Sequence, residues 1–147
     1  MSGAMKNLMD HLAYRWFSHR PHGAMFLKVG VVICSSAGAP TGGVTKSMAR
    51  QLKWIGVPKV YRFGLACQTA PGEKPRPEKQ AQIDRKAEKL AKAVRRRAEH
   101  PRTSLRNKFM FSLFRGMQTD DKTAWNPVDR DWWVSQGWTG KTKPWKD

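Results

Sequence analysis

The sequence predicts an α/β fold built on a parallel sheet, and three observations carry that reading. A nearly continuous apolar run, Val29-Gly30-Val31-Val32-Ile33-Cys34, passes directly into the small-residue turn Ser35-Ser36-Ala37-Gly38-Ala39-Pro40-Thr41-Gly42-Gly43. A Val/Ile run without alternation suits a central parallel strand covered on both faces. Helical and strand patterns then alternate along the chain in the order αβαβ, and two further helical patterns follow.

Met5, Leu8, Met9, Leu12, Ala13 and Trp16 form a helical stripe, which predicts a first helix over about Gly3 to Phe17. Ser18-His19-Arg20-Pro21-His22-Gly23 breaks it, because Pro and Gly oppose continuation, and the first strand follows at Lys28 to Cys34. Val44, Met48, Leu52 and Ile55 share a face of the next helix, which Gly56 and Pro58 stop. The second strand is expected over Val60 to Ala66, and Thr69 to Pro77 reads as a Pro/Gly-rich connector.

A long helix over about Glu78 to Glu99 places Ile83, Ala87, Leu90, Ala91, Val94 and Ala98 on a face suited to covering a sheet. Thr103 or Ser104 can cap another helix running to about Gln118. With Leu105, Phe109, Met110, Phe111, Leu113, Phe114 and Met117, that helix must bury a large apolar surface against the domain or a second subunit. From Thr119 onward an irregular tail holds Trp125, Trp132, Trp133, Trp138 and Trp145 and is expected to wrap over the same surface. The chain thus divides into an α/β unit over residues 1–100 and a helix with a Trp-rich extension over 101–147, and a homo-oligomer is expected to form through residues 105–117 and the tail.

The 147 residues fit one domain, and no apolar run approaches the roughly 20 residues that span a bilayer. The N-terminus lacks the apolar block of a signal peptide, so a soluble, cytoplasmic protein is the expectation. Cys34 and Cys67 make neither a disulfide framework nor a metal spacing and read as reduced, partly buried thiols. His19 and His22 have no neighbouring ligands to complete a metal site. The net charge of +17 invites a nucleic-acid reading, since residues 72–108 hold 13 Lys/Arg against 5 Asp/Glu. No nucleic-acid module and no interleaved aromatics accompany the run from Arg85 to Arg97, so it reads as a solvated helix face. Nucleic-acid and membrane-surface partners are the weaker readings.

The turn after the first strand lies at a carboxyl edge of the sheet, where open α/β folds bind ligands. Its small side chains and free main-chain N–H groups let a planar or anionic ligand approach the backbone closely. Ser35, Ser36, Ala37, Gly38, Ala39, Thr41, Gly42 and Gly43 are therefore candidate cofactor contacts. The same residues would also suit a tight strand-to-helix connection that needs small side chains for packing alone. No carboxylate, His or Cys pair stands in the turn, which leaves the chemistry to a cofactor and names no catalytic side chain. Two parallel strands are also too few for a stable sheet, so either a partner supplies strands or the chain is the C-terminal part of a longer α/β domain. The immediate helical start favours the second.

Ser2-Gly3-Ala4-Met5-Lys6 through Asp10, Tyr14-Arg15-Trp16, His19-Arg20-Pro21-His22, Ser35-Ser36-Ala37-Gly38 and Trp54-x-Gly56-Val57-x-Lys59-Val60-Tyr61 occur in this order along the chain. Together they resemble the flavodoxin-like NAD(P)H-dependent FMN reductases, most closely over residues 1 to about 68. The segment Trp125-Asn126-Pro127-Val128-Asp129, with Trp132 and Gly137-Trp138, is similar to the C-terminal extension of some members. The resemblance implies a three-layer, flavodoxin-like parallel sheet, incomplete at its N-terminus. It further implies an FMN-dependent oxidoreductase that takes electrons from NADPH or NADH.

In that family the sheet order is 2-1-3-4-5, the loop after the first strand holds the FMN phosphate, and the ring lies against the loops after strands three and four. The two strands here correspond to the fourth and fifth, and the phosphate loop has no counterpart. Ser35 to Gly43 and the helix start at Gly3 are the positions that map onto flavin contacts, while Arg15 or Arg20 is a candidate for a nicotinamide-nucleotide phosphate. A non-catalytic, flavodoxin-like interaction module is the alternative.

Overall fold

The computed structural model describes residues 2–67, 69, 72–124 and 126–146. Its helices are α1 (Gly3–His11), α2 (Gly42–Trp54), α3 (Pro77–Glu99), α4 (Leu105–Thr119) and α5 (Pro127–Ser135), and its strands are β1 (Val29–Ser36) and β2 (Lys59–Ala66). Short 3-10 turns at Ala13–Arg15 and Gly23–Leu27 connect α1 to β1. Among the described residues no helix is long and apolar enough to cross a membrane.

The strands pair in parallel, from Val29 opposite Lys59 to Ser36 opposite Ala66, with α2 as the crossover. A Cβ on Gly30 would stand 3.1 Å from Leu52 of α2, and one on Gly64 would collide with the Thr41 side chain, so the glycines let α2 lie close to this face. Tyr61, on the other face, donates its hydroxyl to the Ala93 carbonyl of α3 at 3.4 Å. Helices therefore lie on both sides of a two-stranded sheet.

Several expectations change. β1 is not covered on both faces: Val32 is buried against the α2 side, whereas Ile33 is 62% and Val31 37% exposed, because β1 pairs only with β2 among the described strands. Its pairing reaches Ser36, two residues past the apolar run. The first helix stops at His11, because Trp16 is extended and Phe17 is drawn fully into the core, its amide donating to the Trp54 carbonyl at 3.1 Å. No residue of α3 is fully buried, and Ala87, Ala91 and Ala98 are exposed, since two strands offer too little sheet to cover a 23-residue helix.

The core lies between the segment that precedes β1 and the C-terminal helices. Phe17, Phe26, Phe111, Phe114, Trp133 and Trp138 form one buried cluster. Phe17 meets Phe26 edge-on at 5.2 Å, Phe26 meets Phe111 edge-on at 5.8 Å, and Trp133 lies 5.1 Å from Phe111. Edge-on pairs set the positive ring edge against a negative face and contribute about 0.5–1.5 kcal/mol each beyond area burial. The apolar surface of α4 is thus divided: Phe111 and Phe114 enter this core, whereas Leu105, Phe109 and Leu113 stay exposed.

The tail is not irregular throughout. Asn126 caps α5 by accepting from the Asp129 amide at 2.8 Å, with Pro127 opening the helix. Trp125 lies outside the described residues.

Candidate functional site

β1 delivers its last two residues, Ser35 and Ser36, to the turn that leads into α2. The turn is closed from inside: the Ser36 hydroxyl donates to the Ala39 carbonyl at 2.5 Å, and the Cys67 amide donates to the Ser36 carbonyl at 2.9 Å. Thr41, in a helical conformation, precedes α2 without a side-chain bond to the helix amides. Its hydroxyl is turned toward Gly64 of β2 instead. Thr45 is buried one turn on and donates to the Thr41 and Gly42 carbonyls, both at 3.1 Å. The first amides of α2 are therefore left without a side-chain acceptor, at the carboxyl end of a parallel strand.

The turn is open on its outer side. Ala37, Gly38 and Ala39 are exposed, and apart from the adjoining residues and the backbone of α2 itself no atom lies within 4 Å of the point where a side chain on Gly38, Gly42 or Gly43 would begin. Packing therefore does not require glycine at any of these three positions, unlike at Gly30 and Gly64. Beside the turn, Ser2, Met5, Ile33, Cys34, Val44 and Met48 surround a depression of about 230 Å³. This brings the start of α1, where the exposed Gly3 stands, to the end of β1 and the first turns of α2. Ser35 remains exposed, whereas the Ser36 hydroxyl is bonded to the Ala39 carbonyl and that of Thr41 faces Gly64 of β2.

The other candidates are engaged elsewhere. The Arg15 guanidinium lies 4.8 Å from the Tyr14 ring and 5.4 Å from the Trp132 ring, and donates to the Arg20 carbonyl at 3.3 Å. Arg20 pairs with the buried Asp129 at 3.3 Å, and His19 donates to the same carboxylate at 2.8 Å. These contacts give both arginines and His19 structural partners in α5. Cys34 and Cys67 are half-buried free thiols. No group of three or more His, Cys, Asp or Glu among the described residues could hold a metal ion.

The signal for α5 was present in the sequence, because Asn126 followed by Pro127 and by Asp129 three residues on is a helix start. No sequence signal marked the depression beside the turn, whose residues come from three separate elements. No family model, curated protein or solved structure matches this chain.

Proposed function

We propose that this chain belongs to an FMN-dependent oxidoreductase of flavodoxin-like architecture, in which electrons pass from NADPH or NADH through the flavin to an acceptor. One observation carries the reading: an open, glycine-rich turn at the carboxyl end of a parallel β strand, next to an uncapped helix start and an apolar depression. A flat, electron-rich ring suits this arrangement. Main-chain N–H groups around Gly38 and the start of α2 would face its polar edge, and Met5, Ile33, Val44 and Met48 would supply an apolar surface. When bound, the flavin supplies the redox chemistry, while the residues of this chain bind, orient and shield it.

The edge of β1 away from β2 supports the larger architecture, since no strand among the described residues pairs with its main chain there, and Val31 and Ile33 on the sheet face beside it are left exposed. In this reading β1 and β2 are the fourth and fifth strands of the sheet, and the strands carrying the phosphate loop lie beyond β1. Leu105, Phe109 and Leu113, four residues apart on one exposed face of α4, support self-association of two copies through that face. Titration with FMN, followed by quenching of flavin fluorescence and then by NADPH bleaching of the visible flavin band, tests the enzyme reading. Light scattering of a Leu105→Asp, Phe109→Asp double variant tests the association.

A further inference from the structure

β2 runs between two basic grooves. On the α3 side, Lys59, Arg96, Arg97, His100 and Arg102 line a cleft of about 660 Å³, with Tyr61 in its wall. The Arg97 guanidinium donates to the Arg102 carbonyl, tying the end of α3 to the segment before α4. Ser104, the cap of α4, also borders this cleft, so the positive end of a 15-residue helix adds to its field. On the α2 side, Lys46, Arg50, Lys53, Arg62 and Arg106 line a second cleft of about 580 Å³. Arg106 donates to the Lys53 carbonyl at 3.0 Å. The first turn of α4 thus stands between the grooves, contributing Ser104 to one and Arg106 to the other. No Asp or Glu lines either groove, and among the described residues none of their nine Lys/Arg side chains takes part in an ion pair.

We propose that these two grooves bind single-stranded nucleic acid through its phosphate backbone. Nine cations without a carboxylate partner, in grooves on the two faces of β2 that meet at the first turn of α4, suit an extended polyanion that passes from one to the other, whereas a small phosphate ester would occupy one groove and leave the other unused. The cations line concave surfaces that a flat bilayer does not enter, which favours a flexible strand over a membrane. Tyr61 stands in the groove wall with the Lys59 ammonium 5.0 Å from its ring centroid, so a base stacks there only by displacing Lys59 toward a phosphate, an exchange that does not depend on sequence. The grooves lie along β2, whereas the glycine turn follows β1, so this inference stands apart from the flavin reading. It also changes the account of the basic run on α3, because Arg96 and Arg97 belong to a groove and not to a merely solvated face.

The test is fluorescence anisotropy of a labelled oligouridylate of about 16 nucleotides, a length within the range a basic groove tracks. Binding is expected to weaken linearly on a log–log plot against salt, by about 0.7 in slope for each phosphate neutralised. Arg96→Ala with Arg102→Ala in one groove, and Arg50→Ala with Arg62→Ala in the other, are each expected to weaken binding about tenfold and to reduce the slope by about 1.4. All four side chains are exposed, and unchanged circular dichroism identifies variants that retain the fold. Lys86→Ala with Lys89→Ala removes the same charge from an exposed part of α3 outside the grooves and is expected to change affinity by less than about twofold. Three results would overturn the proposal: no saturable binding by the folded chain at about 0.1 M salt, an equal loss in the Lys86/Lys89 pair, or displacement of the strand by phosphatidylserine vesicles at matched charge.

Discussion

His19 donates from Nδ1 to Asp129 Oδ2 at 2.8 Å, across 110 positions of sequence. The bond fastens the irregular segment before β1 to the first turn of α5. Arg20 Nε stands 3.3 Å from the other carboxylate oxygen as an ion pair, and Asn126 Nδ2 donates to Oδ2 at 2.7 Å, so a carboxylate only 3% exposed has two donors on one oxygen and a cation beside the other. The same segment offers backbone carbonyls that need donors, and side chains of the C-terminal helices provide them. Gln118 donates to Ser18, Trp133 to His19 and Trp132 to Pro21. Replacing Asp129 by Ala removes the shared acceptor, while the half-exposed His19 and Arg20 can return to water. A stability loss of about 2 kcal/mol is expected, read as a lower urea midpoint at unchanged slope. A midpoint equal to that of the native chain would show that the contact contributes nothing.

Phe109 and Phe111 stand two residues apart on α4 with opposite surroundings. Phe111 is 1% exposed and meets Phe26, Trp133, Trp138 and Trp145, whereas Phe109 is 67% exposed. Phe111→Ala leaves a cavity in the aromatic cluster and is expected to cost about 3–5 kcal/mol. At dilutions where the chain is monomeric, Phe109→Ala is expected to stay within about 0.5 kcal/mol, as surface changes do. Paired denaturation curves check the contrast, and comparable losses would mean that the core is drawn wrongly.

Asn107 holds the corner between α2 and β2. Its side-chain amide donates to the Gly56 carbonyl at 2.5 Å, and it is buried at the start of α4. Gly56 has φ +102°, a conformation costly for a residue with a Cβ. Asn107→Ala leaves that buried carbonyl without its donor and is expected to cost about 1–3 kcal/mol. Gly56→Ala is expected to destabilise by more than about 1 kcal/mol through the backbone. Thermal unfolding of each single variant measures both, and a neutral Gly56→Ala would contradict the strained corner.

The strands and the cap of α4 were legible because their signals are local. The Val/Ile run locates β1, and Ser104 accepts from the Asn107 amide at 3.1 Å, as its type and position suggest. The tertiary choices were not. Whether the alanines of α3 are covered depends on how many strands lie beneath them, and the stripe of α3 looks the same over two strands as over five. Likewise, Met5, Ile33 and Met48 come together only when α1 turns its start toward the end of β1. The positive grooves are not legible in the sequence for a related reason: three elements share the second, and a count of charges along α3 covers only part of the first.

Gly38 gives the most direct test of the flavin assignment, because apart from its two chain neighbours no atom lies within 4 Å of where its side chain would begin. Gly38→Val should therefore leave the fold and its unfolding midpoint unchanged while placing two methyl groups where the ring would approach the main chain. The measurement is a fluorescence titration of FMN against the native chain and against this variant, at one salt concentration. The account predicts saturable one-to-one quenching by the native chain and affinity at least about tenfold weaker in Gly38→Val, equivalent to about 1.4 kcal/mol. Equal affinity in the two chains, or no saturable binding by the folded native chain, would contradict it.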